Sequence, residues 1–391
     1  MNKLKIISIS QSIIIKLVMN FGLFFLLAKQ LELGEFVNVS FCLSLASLLL
    51  VLSEFGQRNS ILVSSEMTVQ ASLSKAMKIF VVNSLASFLV YLIIVGVDLN
   101  GSYFTAILIF FYSFVLSFSE LLAICARVTS KHKFELKFSY LSFLATALVL
   151  VFSFVFEQGV FTILYIIIFR VMLLFALIKS IGLALKMEST SYFSLIRKEF
   201  TFAIDSVASS MYGPLELTIS KVFLSPLQYA TFQVCQKFCQ ASFVLIQSLS
   251  NVYIPIISKE QKLNWVYVFV SISLGGTCSI ILYFGMEFFL GLILDNVDDY
   301  KIIPFYISLY VFLRYVAAAL GSHLLAFGYK GLRVFVSITL IFNYLIAITY
   351  FNPSSSNDAF VISSVIFSIS VVLYFLVMVY RGFNIQNKKV Y

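Results

Sequence analysis

Apolar runs of about 20 residues recur along this chain, and that recurrence limits its fold more than any other feature. A helix needs roughly 20 consecutive apolar residues to cross the hydrocarbon of a bilayer. Twelve such runs are legible: 5–28, 36–55, 77–97, 103–126, 137–156, 160–180, 201–224, 229–252, 264–288, 303–327, 332–351 and 359–380. The connections between them are short, so no large soluble domain fits anywhere. Composition agrees with this. Of 391 residues, 61% are hydrophobic and 12% charged, with a mean hydropathy of +1.00; soluble domains carry roughly a quarter charged residues. The expected fold class is an all-α polytopic membrane protein that uses lipid as its solvent. No cleavable signal peptide is expected, because the first run is long, contains Lys16 and lacks a small-residue cleavage site.

Charge orients the spans. With the N-terminus placed in the cytoplasm, the inner segments hold Lys3, Lys5, Arg58, Lys75, Lys78, Arg127, Lys131, Lys133, Lys137, Lys330, Arg333 and Arg381, among others. The opposite side holds only Lys29, Lys221 and Lys301, mixed with acidic residues such as Glu32, Glu35, Asp98 and Glu157. This asymmetry predicts an even number of spans and both termini inside. It also accounts for the net charge of +9 without a nucleic-acid partner. There is no P-loop, HExxH or glycine-rich dinucleotide turn, and the longest outer connection, about 14 residues, is too short for a catalytic domain. The five cysteines, Cys42, Cys125, Cys235, Cys239 and Cys278, fall in apolar runs and read as free buried thiols. No catalytic group, metal site or cofactor is expected.

Polar residues sit on one face of several spans, three and four positions apart. Span one carries Ser12, Lys16 and Asn20. Span two carries Ser40, Ser44, Ser47 and Glu54, with Gly56 and Arg58 beyond its end. Span four carries Ser113, Ser117, Glu120 and Arg127. Span seven carries Asp205, Ser209, Tyr212 and Glu216, with a kink expected at Gly213–Pro214. Span eight has the longest stripe: Gln233, Lys237, Gln240, Gln247 and Asn251. Spans six and ten place Arg170 and Arg314 near mid-membrane. A lysine or arginine at the bilayer centre costs about 2.5–3.5 kcal/mol on insertion scales, so four facing lipid would cost on the order of 10 kcal/mol. Lys16, Arg170, Lys237 and Arg314 therefore face a wet cavity, or else pair internally with Glu54, Glu120, Asp205 and Glu216. Both options remain open at this level. His323 lies about 180° round the helix from Arg314 and reads as a packing residue. Asp295, Asp298 and Asp299 read as a solvated acidic turn.

The chain divides into two six-span halves, 1–186 and 187–391, as parallel repeats. "LELGEF" (31–36) follows span one and "LSPLQY" (224–229) follows span seven at the matching place. The stretch "LAKQLELGEFVNVSFCLSLASLLLVLSEFGQRNSILV" (27–63) resembles the first external loop and second helix of the Wzx-type polysaccharide flippases. "PLELTISKVFLSPLQYATFQVCQKF" (214–238) and "NVYIPIIS" (251–258) repeat the pattern. These flippases belong to the multidrug/oligosaccharidyl-lipid/polysaccharide exporter superfamily and share the fold of MATE transporters. The likeness covers the whole chain in span count and order. Two positions depart from it: Val37 stands where many relatives have glycine, and Glu216 near where many have an Asp–Arg pair.

The resemblance implies twelve helices in two bundles and a bacterial inner-membrane location. It also implies a cargo: an oligosaccharide on undecaprenyl pyrophosphate, such as an O-antigen repeat unit of lipopolysaccharide biosynthesis, moved by alternating access. The implied cargo contacts are Lys16, Arg170, Lys237, Arg314, Arg58, Gln233, Gln240, Gln247, Asn251 and Asn20. Glu54, Glu120, Asp205 and Glu216 are the candidates for coupling to H+ or Na+. The other implied partners are membrane lipid and the glycan polymerase machinery. Two alternatives stand beside it: a MATE-like drug or cation exporter, and a membrane enzyme of glycan assembly.

Overall fold

The computed structural model describes residues 3–62, 69–98, 103–129, 132–181, 189, 191–260, 262–293 and 303–388. Among them it contains fourteen helices: α1 (Lys3–Gln30), α2 (Leu33–Glu54), α3 (Gln57–Leu62), α4 (Val69–Asp98), α5 (Tyr103–Val128), α6 (His132–Phe156), α7 (Phe161–Ile181), α8 (Tyr192–Ser210), α9 (Tyr212–Phe223), α10 (Pro226–Glu260), α11 (Trp265–Ile293), α12 (Pro304–Ala326), α13 (Lys330–Phe351) and α14 (Ser356–Lys388). The twelve expected spans map onto these in order. Span seven is built from α8 and α9 together, and α3 is an extra short helix. Among the described residues nine helices (α2, α4 to α7 and α11 to α14) are long and apolar enough to cross a membrane. The chain is a multi-pass membrane protein. The acidic turn at 295–299 lies outside the described residues.

Local chemistry sets the breaks. α2 ends because Phe55 and Gly56 both adopt left-handed backbone, φ 47° and 74°. Glycine takes that region freely, whereas a side chain there costs about 1–2 kcal/mol. The chain turns back and α3 packs on α4, α5 and α8. α8 stops at Ser210, three residues ahead of the Gly213–Pro214 pair. Pro214 has no amide to donate to a carbonyl one turn earlier, and its ring crowds that carbonyl, so the break precedes the proline. Pro226 and Pro304 open α10 and α12 in first-turn positions that need no donor. The Gln30 side chain of α1 clasps the α6–α7 turn, donating to the Ser153 carbonyl at 2.7 Å and accepting from the Gly159 amide at 3.1 Å.

The chain forms two compact units, Met1–Thr218 and Ile219–Tyr391. In the first, α1 packs on α6, α2 on α4 and α5, and α7 on α5 and α6; α8 lies against α2, α3 and α4. In the second, α12 is central and packs on α10, α11 and α14. There Gly275 lets α11 approach closely: a Cβ at that position would lie 2.7 Å from the Tyr315 Cβ. Outward faces are apolar. Leu85, Leu89, Ile93 and Val97 form an exposed stripe on α4, and Phe335, Ile338, Phe342 and Ile346 form one on α13. In water such stripes would drive association; in a bilayer they meet acyl chains.

Candidate functional site

The first unit gathers charge from five helices, α1, α2, α3, α5 and α6. Lys16 of α1 points its ammonium at Glu120 of α5, Nζ to Oε2 2.7 Å, and stands 3.6 Å from Glu135 Oε1 of α6. Ser12 donates to Glu135 at 3.0 Å and shares a 2.7 Å hydrogen bond with Ser139. At the end of α2, Glu54 is ion-paired with Arg58 of α3, one turn on. Ser117 of α5 is hydrogen-bonded to the same carboxylate, and Glu120 is near enough for its charge to be felt there. Three carboxylates, Glu54, Glu120 and Glu135, thus share two cations, Lys16 and Arg58.

One of the expected pairings forms here, Lys16 with Glu120; Glu54 pairs instead with Arg58, which the sequence reading places among the cargo contacts. Glu135 is the residue that sequence reasoning missed. It is 0% exposed, yet it lies among Lys131, Lys133 and Lys137, which mark a loop by charge. The signal was the spacing Glu135, Ser139, Ser142, Thr146, a helical stripe that begins before the apolar run; all four side chains are buried. The serines of span two act locally: Ser44 and Ser47 donate to the carbonyls of Ser40 and Leu43 in the preceding turn. The Asp205 side chain lies outside the described residues. Glu216 is fully enclosed within α9.

Further along the first unit, Tyr112 of α5 donates to Asn20 Oδ1 of α1 at 3.1 Å. The Arg170 guanidinium of α7 lies 5.9 Å from the centre of the Tyr112 ring. A groove of about 410 Å³ runs between α2, α4 and α8. Its polar atoms are already engaged: Ser53 and Ser87 bond each other at 2.7 Å, and Asn83 donates to the Ser53 carbonyl at 3.2 Å. The remaining lining, including Leu52, Phe55, Phe200 and Val207, is apolar.

The second unit treats its arginine differently. Arg314 of α12 donates to the Tyr310 hydroxyl at 2.7 Å, and its guanidinium lies 4.0 Å from the Phe243 ring centre and 5.6 Å from that of Phe367. Tyr310 in turn reaches Gln236 of α10, O to O 3.5 Å. On α10, Lys237 and Gln240 are half-buried and Gln247 is exposed, while Gln233 is enclosed and bonded to the Tyr229 hydroxyl. The Asn251 side chain lies outside the described residues. His323 is a packing residue. Its Nε2 accepts from the Asn264 amide at 3.1 Å, so Nδ1 carries the proton and donates to the Ala319 carbonyl at 2.9 Å. The five cysteines are free. Among the described residues no three His, Cys, Asp or Glu side chains gather as a metal site.

No protein-family model matches the chain, and no curated protein matches it. Solved structures align over nearly its whole length. The eukaryotic MATE transporter AtDTX14 is 15% identical, with a TM-score of 0.64, covering 96% of this chain and 95% of that one. The MATE multidrug transporter DinF-BH is 13% identical, with a TM-score of 0.67, covering 96% and 94%. A MOP superfamily transporter from Pyrococcus furiosus, for which a binding pocket of reverse polarity suggests a different function, is 10% identical, with a TM-score of 0.62, covering 96% and 95%. At such identities the likeness establishes the fold. This chain has the all-α architecture of the MATE transporters.

Proposed function

We propose that this MATE-fold protein is a flippase. Its cargo is an oligosaccharide on undecaprenyl pyrophosphate, carried by alternating access from the cytoplasmic to the periplasmic leaflet of a bacterial inner membrane, with both termini cytoplasmic. The observation that carries this reading is the α10–α12 surface of the second unit. There a guanidinium lies on aromatic faces (Arg314 on Phe243 and Phe367), and Lys237, Gln240 and Gln247 follow one another along α10. Amides and ring faces suit sugar hydroxyls and C–H faces. Lysine and arginine suit a pyrophosphate, which cannot enter hydrocarbon unaided. Lys16 is left out of the cargo set because two carboxylates hold its ammonium. Arg170 is left out because it is enclosed within the first unit.

Coupling belongs to the first unit in this account. One carboxylate of the Glu54–Glu120–Glu135 set takes up a proton on one side of the membrane and releases it on the other. A proton fits better than sodium, since these oxygens already bond to ammonium, guanidinium and hydroxyl groups rather than forming an open cage. Arg58, at the mouth of α2, remains half-exposed beside this set and is the first cation an arriving pyrophosphate meets.

The test is cellular. Lys237→Ala and Arg314→Ala should each leave membrane levels near normal while lipid-linked glycan accumulates on the inner leaflet, and Lys237→Arg or Arg314→Lys should restore part of the export. Wild-type export by both alanine variants would remove these residues from the cargo path. One observation favours a second reading, the export of drugs or cations: among the described residues of the first unit, Glu54, Glu135, Glu199 and Glu216 are buried, against Arg170 as the buried cation. Under that reading the same alanine variants export glycan normally, and cells lacking the protein gain sensitivity to cationic drugs instead.

A further inference from the structure

Arg170 carries a charge that nothing described around it answers. The residue is 6% exposed, in the interior of the first unit. Its Nε is buried without a hydrogen-bond partner. Among the described residues no carboxylate stands within ion-pair distance of its guanidinium; the carboxylates of Glu54, Glu120 and Glu135 are committed to Arg58 and Lys16. The contact it does make is with the Tyr112 ring, 5.9 Å away, which is a weak answer to a full positive charge in an apolar span. Tyr112 gives its proton to Asn20 and so is fixed in place beneath the guanidinium.

The imbalance is specific. A guanidinium brings five N–H donors and no acceptor. The group missing here is an acceptor that also carries negative charge. Water would supply the acceptor without the charge. A phosphate would bring a second charge, left unanswered beside a single cation. A small monovalent ion satisfies both the donors and the charge. We propose that Arg170, seated over Tyr112, binds a small monovalent inorganic anion such as chloride, which completes the interior of the first unit and ties α7 to α5. This site is separate from the cargo surface on α10 and α12, and its existence does not depend on what the protein carries.

Thermal unfolding of the full-length protein in detergent tests it, with chloride exchanged for gluconate at constant sodium. Chloride should raise the wild-type midpoint saturably, by about 2 °C or more when in large excess over its dissociation constant. Bromide should substitute for chloride, and Arg170→Gln should abolish the halide dependence. In bromide-grown crystals of the wild type, an anomalous peak should lie against the Arg170 guanidinium. Equal midpoints in chloride and gluconate would overturn the proposal, as would a halide shift that survives Arg170→Gln. Restoration of the Arg170→Gln midpoint by adding Glu120→Gln would also overturn it, because the partner would then be a carboxylate. If Arg170→Gln fails to accumulate, the wild-type bromide peak decides: present, the site stands; absent, it does not.

Discussion

Lys16 in the first unit has carboxylate oxygens at 2.7 and 3.6 Å. Arg314 in the second has a phenol at 2.7 Å and a phenyl ring centre at 4.0 Å. Lys16 lies on α1 and Arg314 on α12, and both need something other than lipid. The first solution neutralises the charge within the bundle. The second sets it on ring faces and a hydroxyl, which position the guanidinium. A cation neutralised in place suits a switch, because moving a proton changes the local balance. A cation held on aromatics suits a ligand with phosphate and sugar. Under the proposed function, the contrast separates a coupling unit from a cargo unit within one fold.

The largest effect that would break the contrast is on stability. Lys16→Ala leaves Glu120 and Glu135 without their ammonium, and removing one partner of a buried pair costs about 3–5 kcal/mol. Partial exposure of Lys16 and Glu120, 21% and 22%, puts the expected cost at the lower end. Membrane abundance and the unfolding midpoint should fall together, and Glu120→Gln in the same chain should recover part of both. Arg314→Ala should do far less, since cation–π contacts are worth about 0.5–2 kcal/mol. Equal losses at the two sites would erase the distinction between the units.

A smaller effect sharpens the account of the second unit. Gly275→Ala drives a Cβ to 2.7 Å from that of Tyr315, and overpacking of this kind costs about 1–3 kcal/mol. Gly276→Ala, with nothing within 4 Å, should be neutral or slightly stabilising. Unfolding midpoints of the two variants, compared side by side, check that α11 and α12 are in close contact at Gly275. Smaller again is Gly56→Ala, where φ is 74°. It should cost about 1–2 kcal/mol and loosen α3, making Arg58 more accessible to trypsin in open membranes.

Much of the architecture was legible because lipid enforces it. Twelve runs of the right length map in order onto the helices, since backbone groups in hydrocarbon must bond internally. Breaks that depend on one residue were legible too: the Gly213–Pro214 pair marked the interruption of span seven, though the helix stops earlier, at Ser210. The partners of each charge were not legible. Helical spacing places Lys16 and Glu120 on polar faces but cannot say that those faces meet. Glu135 was hidden because positive neighbours made its segment look like loop, while α6 begins at His132 and carries the carboxylate into the core. The aromatic setting of Arg314 was also out of reach. Phe243 and Phe367 are ordinary span residues in the sequence, and only packing brings their rings onto the guanidinium.

The central claim is that the second unit's cations carry a lipid-linked glycan across the membrane. The most direct measurement uses purified protein in liposomes loaded with undecaprenyl-pyrophosphate-linked oligosaccharide. An impermeant glycosidase outside reports the rate at which glycan from the inner leaflet becomes accessible. The account predicts that wild-type protein speeds this transfer well above protein-free liposomes, and that Arg314→Ala and Lys237→Ala each cut the protein-dependent rate by about tenfold or more, the equivalent of losing roughly 1.4 kcal/mol or more of binding to the moving headgroup. Transfer no faster than in empty liposomes, or rates unchanged in both variants, would contradict it.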